Sequence, residues 1–79
     1  MRTKKNYNGK EILSEYVSSN IKNANYHSEN KTLKISFASG ILYEYYDVPH
    51  EVFSGFDNAD SQGVYFNKNI AKKFTFKKL

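Results

Sequence analysis

The chain has 79 residues, a formal net charge of +4, no cysteine and no tryptophan, yet seven tyrosines and six phenylalanines. That length suffices for one small domain, and the lack of cysteine excludes both a disulfide framework and a thiolate metal site. A domain of this size buries only roughly 60–65% of its unfolded surface, so aromatic rings must supply much of the core. Self-association is the remaining way to bury more, which makes a homo-oligomer an open expectation.

The basic N-terminus lacks the apolar run of a signal peptide, and no stretch approaches the length of a membrane span. The expected location is therefore the cytoplasm, with no membrane partner. Charge is unevenly spread. Residues 1–10 hold Arg2, Lys4, Lys5 and Lys10 without an acid, and residues 61–79 hold Lys68, Lys72, Lys73, Lys77 and Lys78 without an acid. All eight acidic residues fall between Glu11 and Asp60. If the two ends meet on one face, that face attracts phosphate. The plain alternative is that the basic ends neutralise the acidic middle or are simply solvated.

In chain order, residues 1–16 read as a basic, polar and frayed N-terminal extension, ahead of a domain over 17–79. "IKNANYH" (21–27) is a candidate strand, although asparagine is a poor strand former. "SENK" (28–31) reads as a turn. "TLKISFA" (32–38) alternates Leu33, Ile35 and Phe37 with Thr32, Lys34 and Ser36, the pattern of a half-buried strand. "ILYEYYDV" (41–48) follows it. A three-residue loop Ala38-Ser39-Gly40 would place Gly40 in the left-handed region and pair Ile35 with Tyr43 and Leu33 with Tyr45. A two-residue loop would instead bury Glu44. The first loop puts Leu33, Ile35, Phe37, Ile41, Tyr43 and Tyr45 on one face. It puts Lys34, Ser36, Leu42, Glu44 and Tyr46 on the other.

Pro49 suits the first position of a short helix bearing Val52, Phe53 and Phe56, which Gly55 weakens. Ser61 reads as the N-cap of a second helix, with Gly63 in its first turn. Phe66, Ile70 and Phe74 recur every four residues and form its apolar face, with Lys72 and Lys73 in its last turn. "TFKKL" reads as a final strand or an extended tail. The sum is an α+β domain: an antiparallel three-stranded β-meander followed by two short helices packed on one face.

At this point the chain resembles a known family. "SSNI" (18–21), Tyr26, "LKISF" (33–37), "SG" (39–40), "YEY" (43–45), "VP" (48–49), Val52, the Ala59–Gly63 stretch and "YFNKNI" (65–70) are similar to the KTSC domain. That domain is named for its place at the C-terminus of some lysyl-tRNA synthetases and also occurs as a stand-alone small protein in bacteria and phages. The resemblance runs from Val17 to Leu79. Departures are His27, Phe56, Ala71 and Phe74, where an acid, leucine, arginine and tyrosine are the common residues. The missing arginine weakens any carry-over of an anion contact, with Lys72 next to it. The resemblance implies an α+β fold and a role in RNA binding.

The candidate ligand-binding residues are Tyr65, Asn67, Lys68, Lys72, Lys73, Tyr43, Tyr45 and Asn20. Lys68, Lys72 and Lys73 beside Tyr65 offer phosphate contacts next to a ring; the alternative is a solvated helix face. Tyr43 and Tyr45 would stack bases, or lie on the core face beside Ile35 and Leu33. Tyr46, on the other face, would be the freer ring. Asn20 and Asn67 would read a ligand amide or base edge, or satisfy backbone groups at element ends. His27 and His50 have no clustered partners for a metal, and neither a phosphate loop nor a nucleophile elbow is present. The expectation is a non-catalytic module without cofactor or metal that binds RNA. The basic N-terminal arm would add affinity without specificity. A nucleotide or cyclic-nucleotide sequestering oligomer is the first alternative, and a protein-interaction module the second.

Overall fold

The computed structural model describes residues 1–79. Six strands form one antiparallel sheet in sequence order: β1 Arg2–Asn8, β2 Glu11–Tyr16, β3 Ile21–His27, β4 Thr32–Phe37, β5 Leu42–Tyr45 and β6 Phe76–Lys78. Helices α1 (His50–Asp57) and α2 (Gln62–Asn69) lie between β5 and β6 in the chain. The architecture is α+β with two helices, as expected, but the sheet has six strands where three were expected.

The central hairpin follows the alternation of its residues. Leu33 pairs with Tyr45 and Ile35 with Tyr43. Gly40 has φ 93° and its N–H donates to the Phe37 carbonyl at 2.9 Å. This register keeps Glu44 on the opposite face, opposite Lys34.

The extra strands lie at both ends. Residues 1–16 are no frayed extension: they form the β1–β2 hairpin, with Gly9 at φ 63° in its turn. In β2, Ile12, Ser14 and Tyr16 are buried while Leu13 and Glu15 are exposed, so the strand has a core face despite its polar neighbours. β1 is an edge strand whose side chains bury little; its hold on the sheet is the backbone ladder, with Tyr7 opposite Ile12 and Lys5 opposite Ser14. At the far end "TFKKL" supplies the short β6, which pairs Phe76 with Tyr45 and Lys78 with Tyr43.

Both helices pack on one sheet face. Tyr26 is fully buried, stacks on Phe53 of α1 at 4.6 Å, and donates its hydroxyl to the Val48 carbonyl at 2.6 Å. Phe56 meets Tyr16 edge to face at 5.3 Å, and Phe66 of α2 meets Tyr45 at 5.7 Å. Pro49, expected at the first helical position, stands instead at the N-cap of α1, which begins at His50. Ser61 caps α2 as expected, its Oγ accepting the Val64 N–H at 3.3 Å.

α2 is shorter than the Phe66–Ile70–Phe74 periodicity predicts. It ends at Asn69, whose side-chain amide donates to the Tyr65 carbonyl at 3.2 Å and competes with the helical ladder there. Ile70 is still fully buried, but Phe74 is only half-buried and is reached through a turn. Lys72 and Lys73 lie in that turn, not in the last turn of a helix. No helix is long and apolar enough to cross a membrane.

Candidate functional site

Two loops and one helix build a cleft of about 330 Å3 at one end of the molecule. The β2–β3 connection brings Ser19 and Asn20, the β4–β5 turn brings Ala38 and Ser39, and α2 brings Gly63 and Asn67. The Ser18 hydroxyl accepts the N–H groups of Asn20 and Ile21, each at 3.3 Å, which fixes the first loop. The Asn20 carbonyl accepts the Ala38 N–H at 2.8 Å and ties the two loops together. On α2, Gly63 and Asn67 share one side of the helix, one turn apart. A β-carbon at Gly63 would stand 3.7 Å from Asn20 Nδ2. Five of the stretches that carry the family resemblance thus meet at one place.

Within the chain, neither the Asn20 nor the Asn67 side-chain amide makes a hydrogen bond; the only contact through Asn20 is by its backbone. Asn58, the C-cap of α1, and Asn69, the last residue of α2, behave differently, donating to the helix carbonyls of Ser54 at 2.9 Å and of Tyr65 at 3.2 Å. The two cleft amides therefore have donors and acceptors free for a ligand.

The other expected residues are distributed differently. Lys68 lines a second groove of about 350 Å3 with Tyr65, Val64 and Asp60. Lys68, Lys72, Lys73, Lys77 and Lys78 are all exposed and none forms an ion pair. Tyr65 is drawn inward: its ring packs on Phe56 at 6.4 Å and its hydroxyl end lies over Gly55. Tyr45 is 3% exposed and leaves no face for a base, and burial pushes its hydroxyl up to about 12. Tyr43 is only half-buried. Tyr46 is not a free ring either, since its hydroxyl donates to Glu44 Oε1 at 2.8 Å.

Three of the four N-terminal cations are engaged elsewhere. Asp57 is fully buried at the end of α1 and accepts Arg2 Nη1 at 2.6 Å, Lys5 Nζ at 2.9 Å and the Tyr16 hydroxyl at 2.7 Å. Burial alone would push this carboxyl up; hydrogen bonds led by Lys5 and Tyr16 overcome that and hold Asp57 below the usual carboxylate value. Lys10 pairs with Glu29 at 3.3 Å. Three of the four cations in the basic arm expected to reach for phosphates are thus paired with the body of the domain, and Lys4 stays exposed without an ion pair. A signal for this existed in the sequence: an acid in the last turn of a helix opposes the helix dipole and calls for a cation beside it. No group of three His, Asp or Glu side chains converges to hold a metal ion.

Comparison with known proteins agrees with the resemblance. The profile of the KTSC domain matches residues 17–74. A lysine–tRNA ligase of Nostoc punctiforme is 48% identical over 59 residues, which are 75% of this chain and 10% of that enzyme. The chain thus spans about a tenth of the length of the ligase it matches. An uncharacterized protein of Stutzerimonas stutzeri is 41% identical over 51 residues, 65% of this chain and 72% of its own length. The crystal structure of a KTSC domain protein from Yersinia pestis superposes with a TM-score of 0.80 at 31% identity, over 87% of this chain and 97% of that one. With its sequence and its fold in agreement, this chain belongs to the KTSC domain family.

Proposed function

We propose that this domain is a non-catalytic, cytoplasmic binding module for a phosphate-bearing ligand, RNA before all others. The observation that carries the reading is the set of exposed lysines from Lys68 to Lys78 without ion pairs, in a chain whose other basic segment has three of its four cations paired with Asp57 or Glu29. Lys68, Lys72 and Lys73 would neutralise phosphates, while Asn20 and Asn67 hydrogen-bond bases or sugar hydroxyls in the cleft. Tyr65 positions α2 against α1 and does not stack on ligand. The similarity to a segment of enzymes named for joining lysine to tRNA supports RNA as the ligand class.

The test is fluorescence anisotropy with a labelled RNA at several salt concentrations. The triple variant K68E/K72E/K73E should weaken binding by at least tenfold and flatten the salt dependence, because each lost phosphate contact removes roughly 0.7–0.9 from the log–log slope. Unchanged binding would overturn the lysine assignment. The size of the cleft supports a second reading, a single nucleotide or cyclic nucleotide held between Asn20 and Asn67. That reading requires a discrete small molecule released on denaturation and a weak response to salt.

A further inference from the structure

The face of the sheet that carries the helices is not covered throughout. Phe76 on β6 is 51% exposed, and Tyr43 and Phe37 beside it are half-buried. The three rings form a row across β4, β5 and β6: Phe37 to Tyr43 at 5.6 Å and 89°, then Tyr43 to Phe76 at 5.6 Å and 72°. Phe66 of α2 reaches Phe37 and Tyr45, but no ring of either helix meets Tyr43 or Phe76. Lys78 is the register partner of Tyr43 and projects from the same face. At the other end of the row Phe37 forms part of the wall of the cleft with Asn20 and Asn67.

We propose that Phe37, Tyr43 and Phe76, flanked by Lys78, are a base-stacking platform for single-stranded RNA. The inference rests on the RNA-binding reading above and narrows its ligand to unpaired nucleotides. Phe76 is the most open ring of the row; an exposed ring stacks on bases of any sequence, and a neighbouring ammonium meets the phosphate beside it. In a duplex the base faces are already covered, so a platform of this kind discriminates against paired RNA. The cleft next to Phe37 then receives the edge of a base that the row has splayed out. Charge argues against a second copy of this chain on the same face, because Lys78 would meet its own counterpart there and residues 61–79 hold no acid to pair with it. Phe37 and Tyr43 lie within residues 17–74, the segment that the family profile matches, and Phe76 and Lys78 lie beyond it.

The experiment uses the full chain, a labelled single-stranded oligouridylate and an RNA duplex of equal length. The chain has no tryptophan, so F76W carries the one indole in the protein. Single-stranded RNA should quench its emission along the same curve that anisotropy follows. F76A and F76L should each weaken single-strand binding by roughly 5- to 150-fold, with the salt slope unchanged. F76L retains apolar bulk, so its loss of affinity separates stacking from packing, and its melting temperature verifies the fold. Wild-type binding to single strands that survives F76A and F76L, with no quenching of F76W, overturns the platform and leaves the RNA reading intact. Equal affinity for the duplex does the same. No binding to either RNA overturns both readings, as does a wild-type dimer that F76L dissociates and that takes up no RNA.

Discussion

The hydroxyl end of Tyr65 occupies the place where a side chain on Gly55 would stand. A β-carbon at Gly55 would overlap that hydroxyl and lie 2.7 Å from Tyr65 Cζ. The glycine that weakens α1 as an isolated helix is the socket that lets α2 dock on it. Gly→Ala inside a helix ordinarily stabilises by about 0.5–1 kcal/mol. Here the ring has to leave its site on Phe56, and G55A should destabilise by about 1–3 kcal/mol, as overpacking does. Urea denaturation checks the sign. In the G55A/Y65A double variant the two effects should fall short of additive, because the alanine no longer meets a ring.

Asp57 gives the fold a defined acid response. Its carboxyl is held below the usual value in the folded chain, so the folded state takes up this proton less readily than the unfolded one. The stabilisation is complete above the ordinary carboxylate range and is lost as the pH falls through the lower folded value. D57N removes the charge from between Arg2, Lys5 and Tyr16 and should destabilise by roughly 2–4 kcal/mol near neutral pH. Denaturant midpoints at neutral and acid pH should converge for wild type and D57N as the pH drops. A gap that stays constant would remove Asp57 from this role.

Asn20 and Asn67 should separate function from stability. Both are exposed and neither amide is bonded within the chain, so N20A and N67A should each change unfolding free energy by less than about 0.5 kcal/mol. Each should lower RNA affinity by roughly 2- to 12-fold, the worth of one neutral hydrogen bond, without altering the salt slope. An affinity loss that follows a loss of stability would return the two asparagines to a structural role.

What the sequence discloses depends on how local the deciding contact is. The β4–β5 register is legible because Gly40 and the position of Glu44 leave one loop length that keeps a charge out of the core. Ser61 is legible as a cap because its hydroxyl acts only three residues on. The β1–β2 hairpin is not fully legible: Asn8-Gly9 is a turn signal, but β1 is rich in lysine and asparagine and joins the sheet by backbone bonds that carry no side-chain pattern. Nor is the Arg2–Asp57 pair, which links residues from opposite halves of the chain. In the candidate site, the cleft gathers residues whose types are visible in advance, but their convergence depends on three separate connections. Tyr65 reads as a free ring because its partner is a glycine, which leaves no apolar signal in the periodicity.

The connectivity of the sheet also sets an order of events. From β1 to β5 each strand pairs with its sequence neighbour across a short connection, contacts that close quickly. β6 is different: the chain leaves the sheet after Tyr45, makes both helices, and returns beside the same residue at Phe76. Closing that long excursion carries a larger entropic penalty and gains a strand of only three residues. By this argument β6 should dock last and come away before the rest of the sheet, which faster amide exchange along Phe76–Lys78 would show. Each departure takes Phe76 off Tyr43 and Tyr45 and dismantles the aromatic row. A ligand that grips Phe76 would close this flap by mass action, so occupancy of the platform would be readable as slowed amide exchange along β6.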